Sequence, residues 1–503
     1  MFNAEERSQL RLLGELLFAN PFGERRQELE KQLLGRRHIH RFRVWHSLNG
    51  ELSANLNLPG LEKLCDQLAE RGLVLGSAAS QALPDDLQEE WDLLVIYWLF
   101  SHYSGPMSKN VYLAEDSEKE SAKLYDVFLR DYERLMLGVR RSHPSAYQPE
   151  QLFALYHQAH RAFNYIFDYI GGGTVAAASL RCAIWESIFS HDMKRYYRQL
   201  HARMNQLTTL ITGESGTGKE LAAQAIAYSQ FIPFDANKRR FAYAYRDCFR
   251  AVHLAAIPPS LVESELFGHV KGAFTNAIRD REGRFEDSTS ATCVFLDEIG
   301  DTPAEVQVKL LRLLQTREFS RLGDSSIRHF NGKVIAATNV DLSVKSAQGG
   351  FRQDLLFRLC ADVIQTCPLR ELLDGREEEL RQLVLILVKR MLAADDAEAF
   401  AEEASDWIIS HLGMDYPWPG NVRELEQCLR NLLLRGNYTP IVRIEATPAT
   451  DLGTQMADSG CSLAELTRGY LQALYRREGS VLAVAKASGL DRKTVRKYLA
   501  DGK

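Results

Sequence analysis

The chain has 503 residues, of which 45% are hydrophobic and 25% charged, and its formal net charge is −5. At roughly 150 residues per domain this length suggests about three domains, and the acidic balance excludes a global basic field, so any nucleic-acid surface has to be local. No basic and apolar leader opens the chain, and the longest apolar run near the front, Leu93 to Phe100, is too short to span a bilayer; a cytoplasmic protein with no membrane attachment is expected. The eight cysteines are scattered without a CxxC pair or an adjacent His cluster, a usage that fits reduced thiols better than disulfides or a zinc site.

Residues 1–170 carry helical spacing and few strand signals: Leu10, Leu13 and Leu17, then Leu29, Leu33 and Leu34, and later Phe163, Ile166, Phe167 and Ile170. A helical regulatory or sensory domain of unknown type is predicted here. Its aromatics, among them Trp91, Tyr97, Trp98, Tyr147, Phe153, Tyr156 and Tyr165, are read as core. The acidic groups Asp85, Asp86, Glu89 and Glu90, and the run from Glu115 to Glu120, are read as solvated faces. Residues 171–179, with Gly171, Gly172 and Gly173 followed by small residues, are predicted to be a flexible linker.

From Leu180 the pattern changes. Apolar runs at Leu207 to Thr212, Ala251 to Ala255, Thr292 to Leu296 and Lys333 to Thr338 alternate with helical stretches, which predicts a parallel sheet covered by helices over 180–370. Thr302, Pro303 and Glu305 read as the capped start of a helix that buries Val306, Leu310, Leu313 and Leu314. Over 371–437 the strands stop and three helices, Arg376 to Leu392, Ala397 to His411 and Val422 to Leu434, form a small lid. Residues 438–460 read as a linker, and 461–503 as a further helical, locally basic domain.

The stretch Leu207 to Glu220 joins a buried strand to a helix through a glycine-rich turn. Gly213, Gly216 and Gly218 allow successive N–H groups to point inward, Lys219 supplies a point charge, and the helix from Lys219 to Tyr228 presents its positive end to the same anion. Glu214, Ser215 and Thr217 complete the loop. Glu220 stands where the general phosphate-loop pattern has Ser or Thr, so magnesium lacks one usual hydroxyl ligand. The run Cys293 to Glu298 supplies the remaining chemistry: Asp297 at the strand end orients magnesium, and Glu298 faces the attacking water. Asn339, after the next strand, is placed to sense the γ phosphate or hold that water, its alternative being an ordinary turn residue.

Six stretches then occur in an order that resembles the AAA+ domain of bacterial enhancer-binding proteins, the ATPase activators of sigma-54 RNA polymerase: GESGTGKE at 213–220, ESELFGHVKGAFTNA at 263–277, FLDEIGD at 295–301, VQVKLLRLLQTREFSRLG at 306–323, FRQDLLFRL at 351–359 and PWPGNVRELE at 417–426. The resemblance covers about half the chain, and it accounts for Glu220, because the family's phosphate loop commonly reads GTGKE. It implies an ATP- and magnesium-dependent ring, a hexamer by analogy with the family, with sites shared between subunits. Arg352 and Arg358 match the arginine fingers, and Arg423 matches the sensor arginine of the lid. The element Gly272, Ala273, Phe274, Thr275, Asn276, Ala277 matches the loop that touches sigma-54, with Asn276 replacing a glycine. Asn is the non-glycine residue that best tolerates positive φ, so the loop keeps its shape at modest cost. His253 stands where relatives usually have an Asn switch, from which it would hydrogen-bond Glu298.

The tail Val481 to Ala500 reads as helix, turn at Gly489, helix. It resembles the Fis-type helix-turn-helix that ends many members of this family. Asp491 would cap the second helix, and Arg492, Lys493, Thr494, Arg496 and Lys497 would face phosphates and base edges. The expectation is a multidomain activator: a mostly helical N-terminal domain, an α/β AAA+ P-loop core with a helical lid, and a small all-α DNA-binding domain. The N-terminal domain, responding to an unknown effector, is expected to restrain the ring, so that its removal raises activity. The rivals are a DNA-binding AAA+ regulator that does not use sigma-54 and an AAA+ remodeller of another protein.

Overall fold

The computed structural model describes residues 2–39, 56–78, 83–112, 117–275, 277–392, 394–440, 467–468, 470–472, 474–475 and 480–500. They fall into two compact units, Met1–Asn437 and Tyr438–Lys503.

In the first unit the long helices before the sheet are α1 (Ala4–Phe18), α2 (Glu24–Leu34), α3 (Leu58–Ala78), α4 (Asp85–Tyr112), α5 (Ser117–Met136), α6 (Pro149–Tyr169) and α7 (Val175–Phe189). The start of α1 is a capping box, with Asn3 accepting from the Glu6 N–H and Glu6 accepting from the Asn3 N–H. The helical periodicity of the leucines is fulfilled: Leu10, Leu13, Leu17, Leu29, Leu33 and Leu34 are all buried, and so are Trp91, Phe153 and Tyr156.

Two expectations about this region need correction. The acidic turn of α4 is not simply solvated, because Glu90 is buried and takes ion pairs from Arg7 at 3.2 Å and Arg11 at 2.7 Å, while Glu89 pairs with Lys194 and Arg198. Residues 171–179 are not a free linker either. The Thr174 hydroxyl caps α7 by accepting from the Ala177 N–H, and the following small residues let α7 pack tightly, burying Leu180, Ile184, Trp185 and Phe189 in the same core as α1 to α6.

The sheet has strands β1 (Thr209–Thr212), β2 (Phe249–His253), β3 (Cys293–Asp297), β4 (Lys333–Thr338) and β5 (Asp362–Gln365), in the spatial order β2-β3-β4-β1-β5, all parallel. Strand β1, between β4 and β5, sets Leu210 opposite Ala336 of β4 and Val363 of β5. Because side chains alternate across a strand, Ile211, Phe295, Ile335 and Ala337 enter one core while Leu210, Val294, Leu296, Val334 and Ala336 enter the other. Both faces are covered, which is why these strands read as unbroken apolar runs. Helix α8 (Lys219–Tyr228) and the N-terminal helices cover the first face. The second is covered by α9 (Pro259–Phe267), α10 (Ala304–Thr316) and α11 (Gln353–Leu359).

The start of α10 also differs from expectation. It begins after Pro303 with no side-chain cap, since the Thr302 hydroxyl donates instead to Ile299 O at 2.7 Å, closing the preceding turn. Three further helices, α12 (Glu377–Lys389), α13 (Ala394–His411) and α14 (Asn421–Arg435), make the lid. In the second unit, α15 (Val481–Ser488) and α16 (Arg492–Ala500) pack through Val484 and Val495. The expected linker lies almost wholly in residues 441–466, outside the described residues. Among the described residues the cysteines are free, and no helix is long and apolar enough to cross a membrane.

Candidate nucleotide site

Between β1 and α8 the chain turns through Gly213, Gly216 and Gly218, all at positive φ. Gly216 is required twice over: its φ is +80°, and a Cβ there would stand 2.3 Å from Gly420 O of the lid. A Cβ on Gly213 would likewise meet Thr366 Oγ1 at 2.1 Å. The Thr217 hydroxyl lies 2.7 Å from that of Thr366 and donates to Glu214 O, tying the loop to the residue after β5.

The loop opens on a cavity of about 410 Å³, lined by Ser215 to Leu221, Asp297, Glu298 and Arg423, by Tyr169 to Gly171 at the end of α6, and by Leu383 and Leu387 of the lid. The Lys219 ammonium donates to Gly213 O at 2.9 Å and Glu214 O at 3.1 Å. Burial pulls its pKa below the ordinary lysine value, while the Glu298 and Asp297 carboxylates pull the other way. Glu220, on the first turn of α8, also lines the cavity and is bonded by Gln224.

Asp297 ends β3, and Glu298 follows it with φ +54°. A left-handed conformation at a non-glycine residue costs about 1–3 kcal/mol and is a recurrent mark of functional sites. The Asn339 N–H donates to Glu298 Oε2 at 3.2 Å, so the sequence-predicted sensor touches the predicted water-facing carboxylate through its backbone. His253 does not reach Glu298. Its Nδ1 lies 3.0 Å from Asp297 Oδ2, because β2 and β3 run parallel with His253 opposite Asp297 in register.

The lid closes on the loop through residues that the sequence pattern marks only in part. Arg423 Nη1 donates to Ser215 Oγ at 3.0 Å. Beside it, Asn421, unnoticed in the sequence, is buried, takes φ +52°, donates to Ser215 O and Glu214 Oε2, and accepts from the Leu369 N–H. Arg370 adds a two-pronged pair to Glu214, whose carboxyl it holds below the usual range with help from Asn421. The signal that could have found Asn421 was its place after Trp-Pro-Gly, since Asn is the commonest non-glycine residue at positive φ.

Arg352 and Arg358 sit on or just before α11, both exposed and outside the cavity lining. Arg352 makes a two-pronged pair with Asp354 at 2.7 and 3.0 Å. Following α9, His269 bridges Arg281 and Leu322 just before the segment that begins at Gly272. Gly272 N–H donates to Ala277 O, Ala277 N–H donates to Phe274 O, and the half-exposed Phe274 ring lies edge-on to His269 at 4.9 Å. Asn276 lies outside the described residues.

In the second unit Gly489 ends α15 at φ +70°, and Asp491 Oδ1 accepts from the N–H groups of Lys493 and Thr494, capping α16. Arg492, Lys493 and Lys497 are exposed, Thr494 donates to Asp491 Oδ2, and Arg496 lies on α16.

Residues 188–365 match the family model described as the Sigma-54 interaction domain. The chain is 44% identical over 244 residues to the DNA-binding transcriptional regulator NtrC of Azospirillum brasilense, covering 48% of this chain and 46% of that protein. It is 46% identical over 222 residues to the Nif-specific regulatory protein of Klebsiella pneumoniae, covering 44% and 38%. Against the transcriptional regulatory protein ZraR of Klebsiella oxytoca it is 38% identical over 299 residues, covering 57% and 62%. The chain thus spans about half the length of the curated relatives it matches. With this match added to the ordered stretches and the parallel sheet that carries them, residues 188–365 are similar to the sigma-54 interaction domain of these regulators.

Proposed function

We propose that the protein hydrolyses ATP to remodel sigma-54 RNA polymerase at promoters and that its tail binds an upstream DNA site. The observation that carries this reading is the convergence on one cavity of Lys219, Asp297, Glu298 and, from the lid, Arg423. Lys219 and the N-terminal N–H groups of α8 bind the phosphates. Arg423 reports the nucleotide to the lid, and Glu298, steered by the Asn339 N–H, orients the attacking water.

Magnesium fits this donor set. It needs only one or two carboxylates beside the substrate phosphates, and Asp297 offers a hard oxygen at the mouth of the cavity. When bound, the ion would neutralise charge on the β and γ phosphates. Arg352 and Arg358 lie outside their own cavity, which suits fingers that complete a neighbouring subunit's site in a ring. The loop of Phe274 and Thr275 would then press on sigma-54, and Arg492, Lys493, Thr494, Arg496 and Lys497 would grip DNA. The N-terminal helices would receive an effector.

The test is open-complex formation on a sigma-54 promoter by the full chain with ATP, beside Lys219→Ala and Asn276→Gly. Opening by the wild type and not by Lys219→Ala is expected. ATP hydrolysis without opening, restored by Asn276→Gly, would favour a regulator or remodeller turned to another partner.

A further inference from the structure

Helix α6 belongs by position to the N-terminal region, yet it packs along α8, the helix that begins at Lys219. Its middle holds the far end of that helix. Gln158 Nε2 donates to Ser229 O and Arg161 Nη2 donates to Gln230 O, each at 2.8 Å, and all four residues are buried. Among the described residues Arg161 has no carboxylate partner. Its guanidinium lies over the Tyr245 ring at 5.3 Å, its Nε is unpaired, and burial pulls its pKa down to about 10. An unpaired buried cation is costly, and what offsets it here is the negative end of α8 together with the Tyr245 face.

The same helix reaches the nucleotide cavity at its other end. Tyr169, Ile170 and Gly171 line that cavity. Arg390 of the lid donates to Asp168 O at 2.7 Å, and Glu379 of α12 accepts from the Gly173 N–H at 2.7 Å. The N-terminal half of α6 is fixed in the aromatic core, where the Tyr156 hydroxyl donates to Ile96 O of α4. With 21 residues α6 is about 31 Å long at 1.5 Å per residue, so one rigid element joins the aromatic core, the back of the P-loop helix, the cavity and the lid.

We propose that Arg161 and Gln158 are positioning residues of the nucleotide site, through which the N-terminal helical region sets the position of α8 and hence nucleotide affinity. This rests on the ATPase reading above. It also replaces a detachable restraint with an integral support, so that removing residues 1–170 would strip α8 and one sheet face of their cover rather than release a motor.

The test uses the full chain, binding of the ATP analogue AMP-PNP by calorimetry, and thermal melting. Arg161→Met removes the charge while keeping volume, and it is expected to melt near the wild type yet bind AMP-PNP about tenfold more weakly, with Arg161→Lys recovering to within about threefold. Gln158→Met is expected to weaken binding in the same direction. Wild-type affinity in both Met variants, or weakening only in step with a lost melting transition, would overturn the proposal. Amide exchange on the wild type supplies an arm independent of any variant: AMP-PNP is expected to slow exchange in the first half of α6, residues 150–160, and no change there would count against the coupling. A wild type that binds no AMP-PNP would defeat the ATPase reading itself.

Discussion

His253 Nδ1 stands 3.0 Å from Asp297 Oδ2, so the histidine of β2 is partnered with the carboxylate proposed to hold magnesium and not with Glu298. An imidazole that fixes a ligating carboxylate acts as an outer-shell partner, and loss of such partners typically costs about 10–100-fold in metal affinity. His253→Ala is therefore expected to raise the magnesium concentration needed for half-maximal ATP hydrolysis about tenfold while leaving the rate at saturating magnesium largely intact. An unmoved magnesium titration would make the contact incidental.

The Arg352–Asp354 pair is exposed on both sides, and exposed pairs contribute about 0–1 kcal/mol. Asp354→Ala should barely change the melting temperature, whereas Arg352→Ala should abolish hydrolysis. Mixing Arg352→Ala with Lys219→Ala subunits should restore part of the activity if each site borrows its arginine from a neighbour; mixtures as inactive as their components would argue that it does not.

Asn421 joins the lid to the phosphate loop from a buried position. Asn421→Leu would leave the Leu369 N–H without its acceptor and place a branched side chain at φ +52°. The expected cost is about 2–4 kcal/mol, from about 1–3 for the orphaned donor plus backbone strain. Chemical denaturation should show it as a lowered midpoint, with ATP protecting this variant less than the wild type.

His160 on α6 is buried, and burial pulls its pKa down to about 4. The unfolded chain, titrating near 6.5, then holds more protons than the folded one between about pH 4 and 6.5, so stability falls as pH drops through that window. One such histidine accounts for about 2 kcal/mol lost between pH 7 and pH 5. Urea denaturation at the two pH values should show this loss, and His160→Phe should reduce it; an equal loss in the variant would assign it to other groups.

Lys493 and Lys497 lie exposed on α16. Removing one lysine that neutralises a DNA phosphate should lower the slope of log affinity against log salt by about 1. Lys493→Ala should therefore bind DNA more weakly and with a shallower salt dependence. An unchanged slope would place Lys493 off the backbone.

Much of the candidate nucleotide site's local conformation was legible because its determinants are local. A glycine-rich turn, a lysine opening a helix and an apolar run ending in two acids each specify their own conformation over a few residues, and α8 and β4 span the very residues that the spacing marked. The caps were legible in the same way where the partner lies within three residues, as with Asp491; where a hydroxyl had a competing local acceptor, as with Thr302, the reading failed. Composition could not reveal that 171–179 continue a core, since small residues suit a free linker and a close packing seam equally well.

The glycine-rich loop, the two carboxylates at the end of β3 and the period of the helices are thus written in the chain itself, because all three are consequences of short-range backbone and side-chain chemistry. Which side chains become partners was settled only on folding. Parallel register set His253 against Asp297, the lid brought Asn421 to Glu214 and the segment after β5 brought Arg370 there, and the packing of α6 along α8 placed Gln158 and Arg161 on carbonyls about seventy residues away in sequence. Such contacts follow from how faces are buried against each other, and no local pattern records which buried face will meet which.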